Sequence, residues 1–217
     1  MINCFEKHSF GELNHIDYHL LKQSVEHMNK LHSFTDKSVF FDVGTNAGSF
    51  VKVLKEKNYN NIHCFEPHPV LAKTTKTVYP SIIMNEMCVG NNEDHVVINI
   101  PEHSVGLSSI IERPIFSNLE QNIYRIITKC TTIDTYCKNN NIDKIDFLKI
   151  DVEGYEKYIF EGAEEMLSSH KIISGIFEVG DTLKDAGYTE NDIYKILIKH
   201  HYNFYKINDT NVLFSIV

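Results

Sequence analysis

The chain has 217 residues, a formal net charge of −8, 42% hydrophobic residues and 23% charged ones. That length suits one domain with a sizeable core, and the acidic balance speaks against nucleic acid as an obligate partner, because phosphate binding needs a basic face. No apolar run is long enough to span a membrane, the first residues lack a signal peptide's basic start and apolar centre, and the five cysteines form no CxxC pair, so a reduced, cytoplasmic protein without a disulfide or zinc framework is expected.

Leu13, Ile16, Leu20, Leu21, Val25, Met28 and Leu31 fall on one stripe at helical spacing, which predicts an amphipathic helix ahead of the first strand. Its polar face carries His15 and His19, one turn apart, a pair that could share a metal. No third ligand stands nearby in sequence, so a solvated face is the plainer expectation. The helix is expected to form an N-terminal cap, residues 1–35, that packs across the ligand end of a domain spanning 36–217.

Val39 to Val43 reads as a short buried strand that breaks at Gly44; after Gly48, Phe50, Val51, Val53 and Leu54 resume at helical spacing. Glycines let backbone approach a ligand closely, and a helix start offers unpaired N–H groups. The order is Asp42-x-Gly44-x-Asn46-x-Gly48, not the G-x-G-x-x-G of dinucleotide folds. A second strand, Ile62 to Phe65, runs into Glu66-Pro67-His68-Pro69. Glu66 stands about twenty residues after the turn, where a carboxylate can accept both ribose hydroxyls of an adenosine cofactor. Pro67 stops the strand at that point.

A helix is predicted from about Val70 to Tyr79, then a third strand over Ile82 to Val89 and a weakly alternating one from His95 to Ile100. Pro101 to Asn118, with His103, Gly106, Ser108 and Ser109, has little periodicity; such a stretch in a compact α/β domain often binds a ligand. Ile126 to Ile133 reads as an extra strand before a short helix, Asp134 to Asn139. Ile145 to Ile150 is a buried-type strand with Asp151 and Glu153 at its carboxyl end and a turn at Gly154 into a helix burying Ile159, Ala163, Met166 and Leu167. A further strand, Ile172 to Phe177, ends in Glu178; a helix from Glu190 to His200 and a hairpin of Phe204–Ile207 and Val212–Val217 follow. The β-α alternation implies a mostly parallel sheet with helices on both faces and an antiparallel tail.

Three pieces now stand in order: Asp42 to Gly48, Phe65-Glu66-Pro67-His68-Pro69, and Ile145 to Glu156. Gly106-Leu107-Ser108-Ser109 and Thr131-Thr132-Ile133-Asp134 lie between the last two, and Phe160-Glu161-Gly162-Ala163 follows. Over about residues 38–180 this order closely resembles the FkbM family of methyltransferases, most specifically in Lys149-Ile150-Asp151-Val152-Glu153-Gly154. The resemblance implies a class I methyltransferase, Rossmann-like α/β fold with a mostly parallel seven-stranded sheet. It also implies S-adenosylmethionine as donor and O-methylation of a hydroxyl on a sugar, glycan or other small molecule. Residues and resemblance together put Asp42, Gly44, Asn46, Gly48, Glu66, Pro67, Cys88 and Asp151 at the cofactor. Cys88 stands where the family usually has a small residue, Tyr155 where alanine is common, and the leading helix falls outside the match.

Ligands of open α/β sheets bind outside the carboxyl ends of the strands, so Asp42, Glu66, Asp151 and Glu178 are expected on one rim. Asp151 and Glu153 could also cap the helix that follows them. Crowded carboxylates need a cation or a shared proton. An alcohol is a poor acid, so methyl transfer to it needs help with the proton. Mg²⁺ or a similar cation on Asp151 and Glu178, with or without Glu153, could bind the acceptor oxygen. Alternatively one of these acids, or His103 from the irregular loop, could act as base. Two rival functions remain at this point. One is an NAD-dependent sugar-modifying enzyme, against which the absent G-x-G-x-x-G counts. The other is a non-catalytic, partner-binding protein that retains the fold, against which the acids at every strand end count.

Overall fold

The structure, a computed structural model, describes residues 15–118 and 122–216, and the side chains of 15–17 are not part of the description. The expectations for Cys4, Leu13, the His15–His19 pair and residues 1–14 of the cap lie outside it. The strands are β1 (Phe40–Val43), β2 (Ile62–Phe65), β3 (Ile83–Asn85), β4 (Cys88–Val89), β5 (Asp94–Pro101), β6 (Ile123–Thr131), β7 (Phe147–Ile150), β8 (Ser174–Glu178), β9 (Asn203–Lys206) and β10 (Asn211–Ser215). The helices are α1 (His15–His32), α2 (Ser49–Glu56), α3 (Pro69–Val78), α4 (Ile115–Asn118), α5 (Ile133–Asn139), α6 (Glu156–Glu161), α7 (Glu164–Ser168), α8 (Asp181–Asp185) and α9 (Glu190–Lys199).

Seven strands form one sheet in the order β3-β2-β1-β7-β8-β10-β9, parallel except for β10, which runs antiparallel to both its neighbours. This is the mostly parallel sheet that the β-α alternation implies. Its central strands are buried on both faces, as their near-continuous apolar sequences require. Successive side chains alternate between two cores. Phe40, Phe147 and Ile176 join Leu21, Val25 and Met28 of α1 and Phe50, Val53 and Leu54 of α2. Phe41, Leu148 and Phe177 join residues of α5, α6, α7 and α9. By the same period of two, Asp42, Lys149 and Glu178 project on the face that α1 and α2 cover. Asp42 and Lys149 are register partners on adjacent strands.

The predicted third strand is divided. Asn85 donates from Nδ2 to the Cys64 carbonyl at 2.9 Å at the end of β3. The chain then leaves the main sheet, and β4 pairs with β6 in a separate sheet of order β4-β6-β5. A local pattern of apolar residues cannot show which sheet a strand joins. The predicted helix after Gly154 is likewise broken into α6 and α7 at Gly162, where a Cβ would stand 1.9 Å from the Gly90 carbonyl oxygen. Among the described residues no helix is long and apolar enough to cross a membrane.

Candidate functional site

β1 delivers the chain into a tight turn at the carboxyl rim. Gly44 (φ 77°), Asn46 (φ 48°) and Gly48 (φ 83°) are all left-handed. Gly44 has two reasons to be glycine: its φ, and the Asp151 carbonyl oxygen only 1.8 Å from where a Cβ would sit. The turn is tied to β2 through Glu66. The Asn46 N–H donates to Oε2 at 2.7 Å and the His68 N–H to Oε1 at 2.9 Å. Glu66 is 6% exposed, and burial pushes its carboxyl up to about 7 against the pull of those two amides. The His68 ring caps α3, with Nδ1 accepting from the Val70 and Leu71 amides at 3.2 and 3.4 Å. Gly44, Asn46, Glu66, Pro67, Cys88 and Asp151 all line one cleft of about 720 Å³, mouth included.

Lys149 lies behind the turn. Its Nζ donates to the Gly44 carbonyl at 2.6 Å and stands 3.3 Å from Asp151 Oδ2 and 3.4 Å from Asp42 Oδ1. Burial works against its charge, but Asp151 and Asp42 outweigh that and keep it an ammonium. Asp42 is fully buried; burial raises its pKa and Lys149 opposes the rise. Neither Asp42 oxygen has a well-formed hydrogen bond, so the ion pair is its compensation.

Asp151, Glu153 and Glu178 bring carboxylate oxygens within 4.8 Å of one another. Burial raises the pKa of Glu178, and the charges of Asp151 and Glu153 raise it further. Glu153 is held away from a free role. Its backbone is left-handed (φ 56°), the buried Arg113 places Nη1 2.7 Å from its Oε2, and Ser109 Oγ donates to its carbonyl at 2.8 Å. Arg113 Nε also reaches Asp185 Oδ2 of α8 at 3.3 Å. Neither Asp151 nor Glu153 caps α6, whose N-cap Tyr155 makes no side-chain cap hydrogen bond; Glu156 ties down the turn ahead of the helix, its Oε1 accepting from Val152 N and its Oε2 from Gly154 N, each at 3.1 Å.

A second cleft, about 1100 Å³ with its mouth, opens over these acids. Leu20 and Leu21 of α1, Ser104 and Leu107 of the irregular loop, Asp151 and Glu178 line it. Asn46, Gly106, Asp151 and Glu153 border both clefts.

The structure therefore gathers most of the expected residues. Asp42 does not line either cleft and acts from behind, through Lys149; Gly48 supports the turn from the α2 side without lining them. Cys88 is a buried thiol in the first cleft's wall, its pKa pushed up by burial. His103 is exposed, and its neighbour Ser104 lines the second cleft in its place. Lys149 and Arg113 were not singled out from sequence. Lys149 carried a signal, a charge inside an otherwise apolar central strand, which demands a buried partner. Arg113 carried none.

The model of the methyltransferase FkbM domain matches residues 42–204. No curated protein matches the chain. Among solved structures, a S-adenosylmethionine-dependent methyltransferase from Clostridium acetobutylicum is similar at 10% identity, with 92% of each chain covered and a TM-score of 0.50. Monomeric WbdD is similar at 10% identity and a TM-score of 0.51, over 93% of this chain and 41% of that one. At such identities these likenesses show the fold, and the fold is the class I Rossmann-like one. The domain match spans most of the chain: the chain belongs to the FkbM family of S-adenosylmethionine-dependent methyltransferases.

Proposed function

We propose that this methyltransferase acts on a hydroxyl group of a sugar, glycan or other small molecule, with Asp151 of the Asp151–Glu178 pair receiving the hydroxyl proton. The observation that carries the reading is the pairing of these two carboxylates on the wall of the second cleft, where one of them is driven toward its protonated form.

The residues of the first cleft fit S-adenosylmethionine. Each Glu66 oxygen takes one backbone N–H and keeps a lone pair for a ribose hydroxyl. The glycine turn and Asp151 offer acceptors for a cationic amino-acid end. When bound, the cofactor supplies an electrophilic methyl on its sulfonium. The protein's own contribution is placement of the acceptor oxygen in line with that methyl. As the new C–O bond forms, the oxygen becomes acidic and its proton passes to the Asp151–Glu178 pair. Leu20 and Leu21 form an apolar wall of the acceptor cleft, which supports a capping role for the N-terminal helix.

A second reading, Mg²⁺ on Asp151 and Glu178, is supported by the 4.8 Å cluster of hard oxygen donors. The first is favoured because the acids already have cations of the chain beside them, Lys149 at Asp151 and Arg113 at Glu153. The four described cysteines are free and buried, which supports the cytoplasmic location. The test is methyl transfer to a panel of hydroxyl compounds in the presence of chelator, for the wild type and for Asp151→Asn. The proton-pair reading requires full wild-type turnover in chelator and a large loss in Asp151→Asn. Turnover that returns only with magnesium would establish the second reading.

A further inference from the structure

Lys149 is 6% exposed within a strand whose other residues are Phe, Leu and Ile. Burying an ammonium is unfavourable unless its partners offset that, and an apolar side chain would fill the place without the cost. Its partners form a specific set. They are the carbonyl of the first residue of the glycine turn, the acid that ends β1 and the acid that follows β7. Two of the three, Gly44 and Asp151, line the cofactor cleft. Lys149 itself reaches the wall of the acceptor cleft. It thus stands behind the junction of the two clefts and joins the adjacent strands β1 and β7 to the glycine turn that follows β1.

The geometry points to Lys149 as a positioning residue that fixes the Gly44 carbonyl and the Asp151 carboxylate to receive the amino-acid end of S-adenosylmethionine. The inference rests on the function proposed above. Gly44 has no side chain to limit its peptide, and the 2.6 Å hydrogen bond from Lys149 sets the carbonyl's direction. A carbonyl or carboxylate oxygen that accepts one hydrogen bond retains capacity for another, so an acceptor held from behind can still serve a ligand in front. Glu66, assigned to the adenosine end, takes its hydrogen bonds from Asn46 and His68 and not from Lys149. The two ends of the cofactor are therefore held by separate devices, and loss of one should spare the other.

The test compares two ligands by calorimetry: S-adenosylhomocysteine, which has the amino-acid end, and 5′-methylthioadenosine, which lacks it. Lys149→Met should weaken S-adenosylhomocysteine by roughly tenfold or more, the loss of hydrogen bonds to charged groups, and leave methylthioadenosine within about twofold. Because Lys149→Met strands Asp42 as a buried charge, the double variant Asp42→Asn/Lys149→Met is measured beside it, with Asp42→Asn as control. Selective loss of S-adenosylhomocysteine in whichever variant folds supports the assignment. Equal weakening of both ligands, or unchanged affinity for S-adenosylhomocysteine, would overturn it. A wild type that binds neither ligand would overturn the proposed function, and this inference with it.

Discussion

The two rims of the main sheet treat buried polar groups in opposite ways. At the amino rim, His63 lies between Tyr136 OH (2.9 Å from Nδ1) and Asn61 Oδ1 (3.1 Å from Nε2), and Asp146 Oδ2 accepts from Val39 N at 2.8 Å. Burial pushes the His63 ring down to about 4, so it stays neutral at physiological pH. At the carboxyl rim, Asp42 pairs with Lys149 and Glu153 with Arg113 in buried or part-buried salt bridges, and burial, with neighbours of like charge, drives Glu178 toward its neutral form. A network whose members satisfy each other is structural economy. A rim that gathers three carboxylates within 4.8 Å maintains an unfavourable arrangement, and such arrangements mark sites of chemistry.

The contrast breaks first on catalysis. Asp151→Asn should lower turnover by about 10²–10⁴-fold, the usual contribution of a positioned base. Asp146→Asn, at the other rim, should leave turnover unchanged. Steady-state rates on any hydroxyl acceptor decide this, and equal losses from both variants would erase the distinction.

Stability sharpens it next. Arg113→Met removes the cation from Glu153 and should cost about 3–5 kcal/mol in urea unfolding, because a part-buried carboxylate is left uncompensated. Lys144→Met deletes a surface partner of Asp146 and should cost about 1 kcal/mol or less.

The pH dependence of folding should differ in sign between the rims. Burial pushes Glu156 up to about 7, above the ordinary carboxylate value. It therefore favours folding fully below about pH 4.5, and that contribution, about 3 kcal/mol, is lost as pH rises toward and through 7. His63 is depressed to about 4; its contribution is present above about pH 6.5 and is lost as pH falls toward 4. Glu156→Gln should reduce the first slope, to which the raised Glu66 and Glu178 also contribute, and His63→Asn should reduce the second, read from urea midpoints between pH 4 and 8. The last expected effect is on cofactor affinity: Glu66→Ala should weaken S-adenosylmethionine binding by about 1–3 kcal/mol in calorimetry.

Much of the carboxyl rim was legible in the chain because its signals are local. A glycine turn must follow the strand it breaks, and Glu66 must end the strand that Pro67 stops. Asp151 and Glu178 close apolar runs and so fall on the same rim. What sequence could not show depends on pairing across the fold. Ile82 to Val89 reads as one strand-like run interrupted only by Asn85 and Glu86, yet β3 and β4 enter different sheets. The partner of Glu153 comes from an arginine forty residues earlier in an aperiodic loop. His103 drew notice for its chemistry, but the loop turns Ser104 and Leu107 to the cleft.

The central claim is that the carboxyl rim moves a methyl group to oxygen with the Asp151–Glu178 pair taking the proton. It is tested most directly with S-adenosylmethionine labelled with ¹³C at the methyl and a panel of hydroxyl and amine acceptors, in chelator, with products read by carbon NMR. The account predicts an ether methyl signal from the wild type and its near absence from Asp151→Asn. A label found on nitrogen or carbon, or an ether signal undiminished in Asp151→Asn, would contradict it.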